Sequence, residues 1–190
     1  MNVEQIRVIV RERLNPNLFR HSIGVAQAAR ALAERYGADP DAAYLSGLIH
    51  DFGKQYSKDE LLQAAVHYQH SLDDLTCRTV KLLHAEVGAV LVEKELGISD
   101  PEILNAVVFH TTGRPGMTLL EKIIYLADYI EPGRTHTGLD ELRELAFRQL
   151  DQALLVAVEQ SIKSVLQRGL LLHPRSVEFR NSLLIENEMS

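Results

Sequence analysis

Two apolar segments of this chain open with the same device, an aspartate followed by proline and a second acid: Asp39-Pro40-Asp41 and Asp100-Pro101-Glu102. A capping carboxylate, a proline in the first turn and an acid at the positive end of the dipole together specify a helix N-terminus. Two further segments open with capping boxes, Ser57 with Glu60 and Thr118 with Glu121. Four helix starts, and no stretch of sustained period-two alternation, predict an all-α fold.

The spacing predicts seven to nine helices. Val3, Ile6, Val10 and Leu14 recur at helical intervals until Asn15-Pro16 interrupts them. A second helix is expected from about Asn17 to Tyr36 with Gly37 as a left-handed cap. The helix begun at Asp39 ends near Gly53, and a short one follows Ser57 as far as Val66. His67 to Asp74 reads as a loop or brief turn, Leu75 to Leu96 as one helix stopped by Gly97, and the segment from Asp100 as a helix reaching His110. Thr118 starts a helix that Pro132-Gly133 terminates. After a loop at Thr135 to Gly138, an amphipathic segment runs from Asp140 to Arg168, and a last helix covers about Ser176 to Asn187.

With 190 residues the chain is long enough for one sizeable core, so a single domain over 1–190 is expected. Its 46% hydrophobic and 24% charged content is that of a globular protein. A formal charge of −6 leaves no broad basic face for a nucleic-acid polymer, though a small anion in a locally positive pocket fits. The lone Cys77 has no internal disulfide partner, which suits a reducing compartment. The charged, amphipathic N-terminus lacks a signal-peptide core, and no run approaches the roughly 20 apolar residues that span a bilayer. The expectation is a cytoplasmic protein without a membrane partner.

Chemistry concentrates at His50-Asp51, an imidazole and a carboxylate closing an apolar helical run. His21 shares a stripe with Val25, Ala28 and Leu32, and His84 one with Val87, Gly88 and Leu91. His110 ends another apolar helix, and Asp128 lies four residues after Ile124 on the same face. One inward histidine alone reads as a hydrogen-bonded core residue. Six metal-type ligands at inward positions read as a metal centre. Mixed imidazole and carboxylate ligation suits Fe, Mn, Co, Ni or Zn and disfavours Mg and Ca. His67, His70, His136 and His173 stand in polar or loop surroundings and are expected at the surface. Glu121 is accounted for by its capping box and Cys77 by packing, while Tyr125 and Tyr129 fit either the core or stacking on a base.

His21-Ser-Ile-Gly-Val-Ala, His50-Asp51-Phe-Gly-Lys54 and Leu-Ala-Asp128-Tyr-Ile-Glu-Pro-Gly-Arg134, in that order, resemble the HD-domain metal-dependent phosphohydrolases. LLHAEVGA at 82–89, HTTGRPGMTLLEKIIYLADYIEPGR at 110–134, GLDELRELA at 138–146 and EFRNSLL at 178–184 are similar to its YqeK-type branch, so the resemblance covers nearly the whole chain. The resemblance implies an all-α HD-domain bundle and a symmetrical bis(5′-nucleosyl)-tetraphosphatase that cuts diadenosine tetraphosphate into two ADP. It implies a first metal on His21, His50, Asp51 and Asp128, and a second on His84 and His110 with Asp51 bridging. Iron heads the metals expected, as one or two ions. One departure is Gly53, where alanine is expected.

A tetraphosphate brings about four negative charges, which a net-acidic protein must meet with local cations. Lys54, Arg114 and Arg134 lie beside the proposed ligands. Asp51, Lys54 and Arg134 are the residues expected to act in catalysis, and Thr111 and Thr112 join Lys54, Arg114 and Arg134 as substrate contacts. The TTGRPG loop is expected to be mobile enough to close over a ligand. The competing readings are an HD-fold nucleotidase or phosphodiesterase on another small nucleotide, and a nucleotide-binding protein without chemistry. The face of the segment from 140 to 168 is left open between the interior and a second copy in a homodimer.

Overall fold

The structure, a computed structural model, describes residues 1–135 and 137–188. They form eleven α-helices and one 3₁₀ turn, with no strand among the described residues. In order these are α1 (Val3–Arg13), α2 (Pro16–Tyr36), α3 (Pro40–Ile49), the 3₁₀ turn Phe52–Gln55, α4 (Lys58–His67), α5 (Asp74–Arg78) and α6 (Val80–Leu96). There follow α7 (Pro101–Phe109), α8 (Leu119–Ile130), α9 (Leu139–Arg148), α10 (Leu150–Gln167) and α11 (Pro174–Glu188).

The start signals act as local chemistry requires. Asp39 accepts hydrogen bonds from the backbone N–H groups of Asp41 and Ala42, and Asp100 from that of Glu102. Both capping boxes are complete, the reciprocal bonds running between Ser57 and Glu60 and between Thr118 and Glu121. Gly37 and Gly97 close α2 and α6 in the left-handed region, at φ of 78° and 68°.

The count exceeds seven to nine because two long segments are each broken. Leu75 to Leu96 is not one helix: Asp73 caps the single turn of α5 through the Thr76 N–H, and Thr79 is extended at φ −120° and ψ 106° before α6 begins. The segment from Asp140 to Arg168 breaks at Gln149, at φ −147° and ψ 89°. Two side chains from the end of α2 take carbonyls in the last turn of α9: Tyr36 donates to Ala146 O at 2.7 Å and Arg35 to Phe147 O at 2.8 Å. Those bonds stop α9 and let α10 restart with its own apolar face. That face is buried within the chain, through Leu150, Ala153, Leu154, Ala157 and Val158.

Packing centres on α2, α3, α6, α7 and α8. Helix α2 lies against α3 and α8, α7 against α6 and α8, and the 3₁₀ turn against α6. One continuous apolar core threads them, with Val25, Leu32, Ile49, Phe52, Leu83 and Ile123 fully enclosed. Burying each such side chain contributes about 1.5–3 kcal/mol, so these helices hold their inward polar residues on a stiff frame. No helix is long and apolar enough to cross a membrane among the described residues.

Candidate metal centre

All six sequence-predicted ligands converge. His21 comes from the second turn of α2, His50 and Asp51 from the end of α3, His84 from α6, His110 from the end of α7 and Asp128 from α8. His50, Asp51, His84 and His110 are buried, His50 and Asp51 with no exposure at all.

The two Asp51 oxygens face different partners. Oδ2 lies 3.3 Å from His50 Nε2 and 3.5 Å from His21 Nε2. Oδ1 lies 3.3 Å from His84 Nε2 and 3.5 Å from His110 Nε2. Asp128 Oδ1 completes the first side, 3.0 Å from His21 Nε2 and 3.9 Å from His50 Nε2. On the second side the His84 and His110 Nε2 atoms stand 3.2 Å apart.

Local geometry aims the rings. His50 Nδ1 lies 2.7 Å from Gly47 O, and His110 Nδ1 lies 2.6 Å from Val107 O, each the carbonyl three residues back in the same helix. A proton on Nδ1 bound to that carbonyl leaves the Nε2 lone pair facing the centre. Helices α3 and α7 thus use one design, an Asp-Pro start and a histidine at the C-cap. Backbone contact sets the remaining spacing. A Cβ on Gly53 would fall 2.2 Å from His84 O, so the alanine expected there does not fit without backbone movement. A Cβ on Gly88 would in turn meet Gly53 N at 3.2 Å.

His21 Nε2, His50 Nε2 and Asp51 Oδ1 are buried without a hydrogen bond, a cost that proteins accept where a cation completes the shell. Ligand atoms of His21, His50 and Asp51 lie within 4.8 Å of one another, as do those of Asp51, His84 and His110. The protonation state suits a cation as well. Burial works to raise the Asp51 pKa but is outweighed by the imidazoles of His50, His110 and His84, which hold it well below the carboxylate range. Asp128 is half-buried; burial works to raise its pKa, but His21, His50 and Arg134 hold it low. Burial, aided by His110 and opposed by Asp51, pulls His84 down to about 4. Ionised carboxylates and neutral His84 are what a divalent metal requires. His21 moves the other way: burial lowers its pKa, but Asp128, Glu131 and Asp51 more than compensate.

The basic candidates divide. Lys54 Nζ reaches Asp51 Oδ2 at 2.6 Å, and an Arg134 terminal nitrogen reaches Asp128 Oδ1 at 2.7 Å, so both meet the centre. Arg114, Thr111 and Thr112 are not brought to it. Arg114 forms two hydrogen bonds to the fully buried Glu121, at 2.8 and 3.1 Å, and stacks over Phe109. Gly113 sits at φ 64° on the ring of Phe179. The loop expected to be mobile is therefore tied down from both sides. Thr112 is buried and donates to Gly113 O at 3.0 Å, and Thr111 and Thr112 line a tight gap with His173 and Arg175.

Among the remaining histidines, His67 is exposed and His70 half-buried, but His173 corrects the surface expectation: it is 8% exposed and pairs with Asp73. His136 lies outside the described residues. Tyr125 belongs to the core, packed edge-on against Phe179, and Tyr129 donates to Gln160 at 2.8 Å. Sequence reasoning missed three residues. Glu131 lies 3.1 Å from His21 Nδ1, and its place at a helix end gives no hint of this. Lys81 stands one turn before His84 on α6; partial burial and the like charges of Arg168, Lys54 and Arg134 lower its pKa. The i, i+3 spacing from His84 was a usable signal for Lys81. Arg168, at the end of α10, had none.

The HD domain family model matches residues 18–133. Among curated proteins, the symmetrical bis(5′-nucleosyl)-tetraphosphatase of Bacillus subtilis is 41% identical over 172 residues, 89% of this chain and 90% of that protein. The protein of the same name from Halalkalibacterium halodurans is 38% identical over 99% of this chain and all of its own length. A crystal structure from Clostridium acetobutylicum, of a protein described as a predicted HD superfamily hydrolase involved in NAD metabolism, superposes with a TM-score of 0.94. It is 40% identical, with 98% of each chain covered. The matched domain spans all six candidate ligands, and with relatives that align over nearly their whole length it places the chain in the HD-domain family.

Proposed function

We propose that the chain is a metal-dependent hydrolase that cleaves dinucleoside tetraphosphates symmetrically, converting diadenosine tetraphosphate and water into two ADP. The observation that carries the chemistry is the division of Asp51, with Oδ2 facing His21 and His50 and Oδ1 facing His84 and His110. The names of the relatives support the substrate. In this reading His21, His50, Asp51 and Asp128 would hold one divalent ion, and His84, His110 and Asp51 would hold a second, with iron as the metal. Such ions supply a water of lowered pKa and neutralise charge on phosphoryl oxygens. The unpaired Cys77 suits work in the cytoplasm.

The chain's own groups bind and orient the substrate. Lys54 and Arg134 now rest on the two ligand carboxylates. With that negative charge met by a bound cation, both would be available to the phosphate chain. Lys81 and Arg168 add two more positive charges to the same region and have no acid partner of their own among the described ion pairs. Four local cations match the roughly four charges of a tetraphosphate on a protein of net charge −6. The bond broken is the bridge between the two central phosphates. The water oxygen ends on one ADP, and the bridging oxygen leaves with the other.

Incubation of metal-loaded protein with diadenosine tetraphosphate, followed by chromatography of the nucleotides, tests this reading. ADP as the sole product is expected. AMP with ATP would overturn symmetric cleavage, and equal or faster turnover of a nucleoside monophosphate would favour the nucleotidase reading.

A further inference from the structure

Glu131 lies outside the set of six, yet it is 4% exposed and its two oxygens have separate partners. Oε1 is 3.1 Å from His21 Nδ1, and Oε2 accepts the Gly133 backbone N–H at 2.5 Å. Missing side chains make its seat. A Cβ on Gly24 would fall 2.6 Å from Oε2, and one on Gly133 would fall 2.9 Å from it.

The position of His21 explains why an outside acceptor is needed. His50 and His110 cap their helices, where the last carbonyls are free to receive a ring N–H. His21 stands in the second turn of α2, where the backbone ladder already occupies the carbonyls. It shares its face of α2 with Gly24, one turn on, and that gap admits a carboxylate arriving from the end of α8.

We propose that Glu131 is the positioning residue of the first ion's half of the centre. It accepts the Nδ1 proton of His21, so that the Nε2 lone pair is held toward Asp51 and Asp128, and Gly24 and Gly133 are glycines because the carboxylate occupies their side-chain space. The inference rests on the metal-centre reading above. A carboxylate behind a ligand histidine fixes the tautomer and raises ligand basicity, and losing such a partner typically weakens metal affinity by about 10–100-fold.

The test uses two variants of the full chain, Glu131→Gln and Gly24→Ala, stripped of metal and titrated with Co²⁺. Glutamine offers one acceptor where His21 and Gly133 together need two. Alanine at 24 leaves Glu131 in the sequence but pushes its carboxylate aside, while helix propensity alone would stabilise α2. Both variants are expected to bind the first Co²⁺ about 10–100-fold more weakly than wild type. The ¹⁵N shifts of His21 in the metal-free protein are expected to show the Nδ1–H form giving way to a mixture. Wild-type affinity and an unchanged His21 tautomer in a folded variant would overturn the proposal. If Glu131→Gln does not fold, Gly24→Ala decides by the same two readouts. Neither readout involves substrate, so failure to cleave diadenosine tetraphosphate would sink the proposed function and leave this inference standing.

Discussion

The chain gathers imidazoles and carboxylates twice, and the two gatherings differ in how far their polar atoms are satisfied. Between α5, α6 and the start of α11, Asp73 takes His173 at 3.2 Å and Arg175 at 3.8 Å. Glu86 there pairs with Arg175 and lies 3.5 Å from His70. Both nitrogens of His173 are spent, Nε2 on Asp73 and Nδ1 on the Arg175 backbone N–H at 3.2 Å. In the centre around Asp51 the same residue types leave His21 Nε2, His50 Nε2 and Asp51 Oδ1 without a hydrogen bond. Residue type does not separate a metal site from an ion-pair network. What separates them is how many inward atoms stay open: three around Asp51, against His70 Nε2 in the network.

The comparison breaks first at Asp51. Asp51→Ala is expected to abolish turnover, a loss of 10³-fold or more on the order of what metal-site catalysis supplies, and to remove bound metal. Elemental analysis beside a product assay checks it, and retained activity would refute the bridging role. His84→Ala, or His110→Ala, is expected to lose one equivalent of metal while the other stays, as equilibrium dialysis would show. Unchanged stoichiometry would assign those histidines to substrate. Arg134→Ala is expected to raise KM or lower kcat about tenfold, the scale of one charged hydrogen bond, with metal content intact.

The closed network should respond in stability alone. Arg175→Ala removes the cation shared by Asp73 and Glu86; because Arg175 is part-exposed, about 1 kcal/mol of unfolding free energy is expected to go, read by denaturant melts with unchanged metal content. The smallest effect concerns acid. Burial works to raise the Asp73 pKa, but hydrogen bonds from the Thr76 N–H and hydroxyl, and then His173, hold it well below the ordinary value of 3.8. A carboxyl lowered by folding contributes stability that is fully present above that value and is lost as the pH falls below it. Asp73→Asn is therefore expected to flatten the acid limb of a pH–stability curve below 3.8 and leave the neutral region unchanged in shape.

What was legible in the sequence was what neighbours along the chain decide. Asp39, Ser57, Asp100 and Thr118 start helices with their own side chains, so their readings held. The breaks at Thr79 and Gln149 were hidden; at Gln149 the cause is a pair of side chains more than a hundred residues away. The convergence of the six candidate ligands was legible because a polar side chain on an apolar stripe must be satisfied inside. Glu131 and His173 were not, since each stands just before a proline and acquires burial only when distant helices close over it. The anchoring of the loop around Arg114 was hidden because a glycine-rich segment gives no sign that Glu121 and Phe179 wait beneath it.

The meeting of Gly53 with Gly88 has a mechanical side. The chain just after Asp51 touches the helix that carries His84 backbone to backbone, with no side chain between them to rotate or compress. A joint of that kind has no slack. The contact ties the position of His84 to that of Asp51, so the spacing between the two halves of the centre is set by backbone and not by side-chain rotamers. A single methyl group added at residue 53 would act as a shim, forcing apart the turn after Asp51 and the helix that carries His84.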